Sequence, residues 1–279
     1  MQRALQHALG SPTPPTQEHT SCATSLHANH LGVCRCDCVV VDIGLNDGAS
    51  LQQWPRDALA QAKKDGISHR PVWQRLQQCL SPSAATCYYG FEANPDLSAQ
   101  LEALGVRLRA DGVRVKLFTE TAFSTHGSGE DFFVEPKKFG TGQVASSLVP
   151  RNNLVRRLKG KNCSTATQGV HCGKWVTEKG TTVASFYRKR RVASVDGAEF
   201  LRAVRRWSDF VAVKLDVESF EFRLLPHLLL GRPRSLCGGV DLLAVEWHEW
   251  LNPEYQNRAE PLSWLMRQPE CNVTVASWI

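Results

Sequence analysis

A chain of 279 residues with 42% hydrophobic and 22% charged residues has the balance of a globular protein with a full-sized core. No apolar run in it reaches the roughly 18–20 residues that a membrane-spanning helix needs, so no such helix is expected. The net charge of +6 is concentrated: between Arg151 and Arg191 eleven Lys or Arg face the single acid Glu178, giving that segment +10 and leaving −4 for the remainder.

Residues 1–37 carry Ser-Pro-Thr-Pro-Pro15 and no sustained period, which predicts a loosely ordered extension ahead of one domain over 38–279. They lack an apolar signal core of about 7–15 residues, so the expectation is a soluble, cytoplasmic protein. A secretory lumen is the alternative, because the ten cysteines and the sequons at Asn162 and Asn272 would suit it. Cys34, Cys36 and Cys38 alternate, which predicts three thiols on one strand face. No second ligand set at zinc spacing accompanies them, so buried free thiols are expected.

Val39-Val-Val-Asp-Ile-Gly-Leu-Asn-Asp-Gly48 reads as a buried parallel strand running into a glycine turn and a helix. Leu51, Trp54, Ala58, Leu59 and Ala62 continue at helical spacing, with Pro55 expected to interrupt or restart that helix. Residues 65–86 read as an insertion or a second helix through Val72, Leu76 and Leu80. Tyr88–Pro95 is a second strand ending in Glu92, followed by a helix through Leu97, Leu101 and Leu104 that Gly105 is expected to close. Val113–Phe118 is a third strand. Residues 126–191 break the rhythm as a basic insertion with one short strand candidate, Asp131–Val134.

Alternation then resumes. A helix over Ala198–Trp207, a strand Phe210–Asp216, a helix stopped by Gly231, a strand Asp241–His248, a helix near Leu262–Arg267 and a last strand near Val273–Ser277 complete it. The pattern predicts an α/β fold, a doubly wound, Rossmann-like and mostly parallel sheet. Four strands end in polar residues: Asp42, Glu92, Asp216 with Glu218, and Glu246 with His248. In a parallel sheet these ends share a rim, where ligands bind. Glu92 is placed to accept hydrogen bonds from ribose hydroxyls. The first turn lacks Gly-x-Gly-x-x-Gly and carries an acid instead, which favours an adenosine cofactor without phosphates over a dinucleotide.

These motifs resemble the FkbM-type family of S-adenosylmethionine-dependent methyltransferases. The resemblance spans about residues 38 to 250. It rests on Val41-Asp-Ile-Gly-Leu-Asn-Asp-Gly48, Phe91-Glu-Ala-Asn-Pro95, Ala122-Phe-Ser124, Ser146-Ser-Leu148, Val195-Asp196, Val213-Lys-Leu-Asp-Val-Glu218 and Val245-Glu-Trp-His248. It implies a seven-strand class I methyltransferase core, S-adenosyl-L-methionine as cofactor, and methyl transfer to a hydroxyl of a sugar or other small molecule. Carried over, Asp42, Gly44, Asn46 and Gly48 line the methionine end, Glu92 holds the ribose, and Asn94 and Ala122 flank the adenine. Asp216 and Glu218 face the methyl group, with Asp216 or His248 as base. A carboxylate-rich divalent-metal site around Asp216 is weighed, but no metal ligand is assigned.

Ser219 stands where the family has glycine, and the expectation is that it caps the following helix. The basic insertion admits a solvated loop, a clamp for an anionic acceptor, or nucleic acid, the last disfavoured for want of an RNA-binding motif. The competing functions are an RNA or protein methyltransferase on the same core, and an inactive cofactor-binding domain.

Overall fold

The computed structural model of the protein describes residues 35–134, 148, 188–231, 235–249 and 253–278. Strand β1 (Cys36–Ile43) leads to helices α1 (Ser50–Lys64) and α2 (Pro71–Cys79), strand β2 (Thr86–Phe91), helix α3 (Ser98–Ala110) and strand β3 (Arg114–Phe118). Three peripheral strands follow, β4 (Thr121–Ser124), β5 (Glu130–Val134) and β6 (Arg188–Asp196). The alternation then runs α4 (Gly197–Arg206), β7 (Ser208–Leu215), α5 (Glu221–Leu230), β8 (Leu242–Val245), α6 (Ala259–Met266) and β9 (Thr274–Ser277).

Six strands form one sheet in the order β3-β2-β1-β7-β8-β9, every pair parallel. This is the doubly wound α/β architecture that the strand–helix alternation predicts. Val39, Val40 and Val41 are fully buried, because the sheet is covered on both faces. Cys38 and Val40 pack with Trp54, Ala58, Trp73 and Leu76 of α1 and α2. Val39, Val41 and Ile43 pack on the other side with Phe200, Val204, Leu224 and Leu228 of α4 and α5. The chain order reverses between β1 and β7, so the crevice at their carboxyl ends is the topological switch point. Among the described residues no antiparallel strand completes the seven-strand sheet that the resemblance implies; parallel β9 is the far edge.

Four local expectations are corrected. Helix α1 runs unbroken through Pro55, which is buried beside Trp54; proline removes one helical hydrogen bond, and the packed face outweighs that loss. Gly105 does not close α3. It is buried where that helix meets Leu117 of β3, and the helix continues to Ala110, ahead of Gly112 at φ +80°. Strand β6 begins with four exposed basic residues, a run with no apolar period, yet it pairs antiparallel with β5 and parallel with β4.

The fourth concerns the thiols. Cys36 is bonded to Cys87 and Cys38 to Cys79, and Cys237 to Cys271; among the described residues every cysteine is paired. Cys36 and Cys38 also lie on opposite faces of the sheet, because the N–H groups of Asp37 and Cys38 both point at the Ala85 carbonyl, 2.9 and 3.4 Å away, and the alternation slips by one. Cys22, Cys34, Cys163 and Cys172 lie outside the described residues. Each bond stabilises the fold by about 2–4 kcal/mol. Together the first two pin β1 to β2 and α2.

Candidate functional site

The strand ends stay in step past the last ladder residues. Gly44 and Leu45 donate to the Phe91 carbonyl, Asp216 to Ile43, and Glu246 to Leu215, at 3.0–3.1 Å. This alignment brings the polar ends of β1, β2, β7 and β8 to one rim, as their sequence positions predict. A cavity of about 260 Å³ opens there. Gly44, Asn46, Glu92 and Ala122 line it, and Asp216, Glu218 and Glu246 face them. Leu97, Phe132 and Leu148 add an apolar wall.

Glycine at position 44 is required by space as well as by conformation. Its φ is +84°, and a Cβ there would sit 1.7 Å from the carbonyl oxygen of Asp216. The end of β7 therefore crosses directly over the first turn. Gly48, also left-handed, has a different reason: its missing Cβ makes room for Leu104 of α3, and it does not line the cavity.

Glu92 is buried, and both its carboxylate oxygens accept backbone N–H donors, one from Asn46 at 2.7 Å and one from Asn94 at 2.7 Å. This fixes the carboxylate between the two turns while each oxygen keeps a further acceptor site. Burial pushes its pKa up to about 7, against the lowering effect of those N–H donors. Asn94 is fully buried behind that wall, its Oδ1 accepting from the Asp96 N–H, and is not among the cavity-lining residues.

Asp42 is likewise inside the sheet. Its carboxylate accepts from Ser50 Oγ at 2.6 Å and pairs with Lys214 Nζ at 3.2 Å. Lys214 reaches on to Asp216, also at 3.2 Å, so Asp42, Lys214 and Asp216 form a relay from the interior to the cavity. Burial pulls the ammonium down, but the two carboxylates more than offset this and hold its pKa above the ordinary value. Burial also raises Asp216, a shift that Lys214 opposes and Glu246 reinforces. Lys214 is a residue to which sequence reasoning gave no role. Its signal was a single lysine inside the apolar strand Phe210–Leu215, which demands a buried carboxylate partner.

His248 is buried and packed just behind the carboxylate wall. Its Nδ1 and its backbone N–H both meet Glu221 Oε1, at 3.2 and 2.7 Å. Its Nε2 faces Glu246, Glu218 and Asp216 at 3.4, 3.6 and 3.8 Å. Burial disfavours the imidazolium, but Glu221 and Glu246 outweigh it and push the pKa up to about 10. The ring is therefore cationic at neutral pH, not poised near neutrality. Glu221 carried no sequence signal beyond its place in a helical first turn. Ser219, at φ +80°, does not cap α5: its Oγ donates to the His248 carbonyl at 3.0 Å, tying the turn after β7 to the turn after β8.

Of the basic segment, residues 188–191 are described. Arg188 pairs with Asp96, and Lys189 and Arg191 with Asp131, which neutralises much of that end. Ser146 and Ser147 lie outside the described residues. Among the described residues no helix is long and apolar enough to cross a membrane. Compared with known proteins, the chain matches no family model, no curated protein and no solved structure.

The two glycine environments make a test. Gly44→Ala should destabilise the protein by more than about 2 kcal/mol, since the new Cβ must displace the end of β7. Gly66→Ala is equally left-handed but meets open space, so only the conformational cost of about 1–2 kcal/mol applies. Urea unfolding of both variants checks the order; equal losses would mean that β7 does not press on the turn.

Proposed function

We propose that the chain is an S-adenosylmethionine-dependent methyltransferase of the FkbM type that methylates a hydroxyl of a sugar or other small molecule. The observation that carries this reading is the pairing, across one cavity, of a fixed ribose-type acceptor, Glu92, with the carboxylates Asp216, Glu218 and Glu246. Such a cavity suits a cofactor with a diol at one end and positive charge at the other. The sulfonium and amine of S-adenosylmethionine are cationic, and its adenine would rest on the apolar wall of Leu97, Phe132 and Leu148.

The chemistry asks little of the protein beyond placement. The acceptor oxygen attacks the methyl carbon, the carbon–sulfur bond breaks with its electron pair returning to sulfur, and the hydroxyl proton passes to a base. Asp216 and Glu218, which line the cavity, are the candidate bases. His248, held as imidazolium, would orient them rather than take the proton. An RNA or protein acceptor has less support: no RNA-binding motif accompanies the basic segment, and among its described residues Arg188, Lys189 and Arg191 have acidic partners.

The three disulfides support an oxidising compartment over the cytoplasm. Asn272, in the sequon ahead of β9, is exposed in a turn at φ +54° and is open to glycosylation there. Expressed through a eukaryotic secretory route, the protein should lose mass on glycosidase treatment, and Asn272→Gln should remove the Asn272 glycan. Reduced cysteines and an unmodified Asn272 after that route would contradict the assignment.

Binding of the cofactor product S-adenosylhomocysteine should depend on pH with a defined sign. A diol donating to Glu92 favours its charged form, and that form is minor below the folded pKa of about 7. Affinity should therefore fall roughly tenfold from pH 8 to pH 6, with proton uptake by Glu92 competing against binding. Glu92→Gln should bind weakly and without this slope. Isothermal titration across that range decides it; no binding at any pH sinks the reading. In the unliganded protein the same group stabilises less as pH rises from about 4.5 to 7, because the folded state holds a proton that the unfolded chain has released.

A further inference from the structure

We propose that Asp216, Glu246 and His248, with Glu218 beside them, form a binding site for one divalent cation of the magnesium or manganese type. One ligand atom from each of Asp216, Glu246 and His248 lies within 4.8 Å of the others. The imidazole Nε2 stands 3.4 Å from Glu246, 3.6 Å from Glu218 and 3.8 Å from Asp216. The separations fall in the span of atoms that share an ion: in an octahedral shell, bonds of about 2.1 Å place ligand atoms roughly 3.0 Å apart when adjacent and roughly 4.2 Å apart when opposite.

The surroundings add two independent features of a metal centre. Metal-ligating histidines characteristically donate their other ring nitrogen to a carboxylate or carbonyl, which fixes the ring. Here Glu221, itself fully buried, holds Nδ1 at 3.2 Å and the His248 backbone N–H at 2.7 Å, and thereby aims Nε2 at the three acids. The cluster is also reachable. Asp216 and Glu246 keep 25% and 39% of their side-chain surface and line the cavity, so an ion has a way in and its remaining positions face the ligand space. Binding would displace the Nε2 proton that the ring carries without the ion, as a metal does from a histidine ligand, and a set dominated by carboxylate oxygens with one imidazole favours Mg²⁺ or Mn²⁺ over the thiolate-seeking metals. On the methyltransferase reading, those open positions would hold the acceptor hydroxyl and a neighbouring oxygen.

The test uses Mn²⁺ and the full chain, stripped with chelator, with free Mn²⁺ followed by its paramagnetic resonance signal. One saturable site per chain is expected. Glu246→Gln should weaken it at least tenfold and Glu221→Gln roughly tenfold, while Glu102→Gln on the exposed face of α3 leaves it unchanged. Glu246 is the most exposed of the ligands, so its variant should keep the wild-type circular dichroism; should it not, Mn²⁺ must still raise the unfolding temperature of the wild type. No saturable binding of Mn²⁺, or affinity unaltered in a folded Glu246→Gln protein, overturns the proposal. This outcome is separable from the cofactor reading, since metal binding is measured without S-adenosylhomocysteine and its failure leaves that titration intact.

Discussion

The structure turns on the buried ion pair between Asp42 of β1 and Lys214 of β7. These strands are neighbours only because the chain order reverses between them, and the two residues stand directly across the ladder from one another. Removing Lys214 would strand the Asp42 carboxylate in the core, at a cost of about 3–5 kcal/mol, whereas removing Asp42 would leave Lys214 its bond to Asp216. The pair therefore ties the two halves of the sheet at the place where the crevice opens. Ser50 extends it to the start of α1, and Asp216 extends it to the cavity.

That relay explains why the two sides of the cavity differ. On the β1–β2 side the acid is held by backbone: Glu92 bridges the Asn46 and Asn94 N–H groups and is near its titration point. On the β7–β8 side the acids are held by cations, Lys214 beneath Asp216 and His248 behind Glu218 and Glu246. Glu218 and Ser219 both adopt left-handed conformations, which cost of order 1–3 kcal/mol each. The Ser219–His248 hydrogen bond helps hold that turn. Strain of this kind concentrates where a loop must present a group to a ligand.

Much of this was legible in the sequence, for physical reasons. Unbroken apolar strands, helical spacing and polar strand ends are local, so the parallel sheet, the rim and the cavity-lining acids Glu92, Asp216, Glu218 and Glu246 could be read directly, while Gly44, Asn46 and Ala122, which also line the cavity, came from the resemblance. Depth could not. Asp42, Gly48 and Asn94 lie one layer behind the cavity wall, because motif position fixes the turn a residue belongs to and not the direction of its side chain. Partners distant in sequence were also hidden. Glu221 sets the charge of His248, and Cys36 finds Cys87 only after a slip in strand alternation that composition does not announce. Strand β6 escaped because its basic run shows no apolar period, Arg188, Lys189 and Arg191 pairing with acids on β5 and near α3.

On the proposed methyltransferase reading, a single crevice at the β1–β7 switch point holds a nucleoside sulfonium, its ribose on Glu92 and its sulfur facing Asp216. A crystal structure of the protein with S-adenosylhomocysteine should show both ribose hydroxyls within hydrogen-bonding distance of the Glu92 carboxylate and the sulfur on the Asp216 and Glu218 side. A nucleoside bound elsewhere, or one whose ribose leaves Glu92 uncontacted, would contradict it.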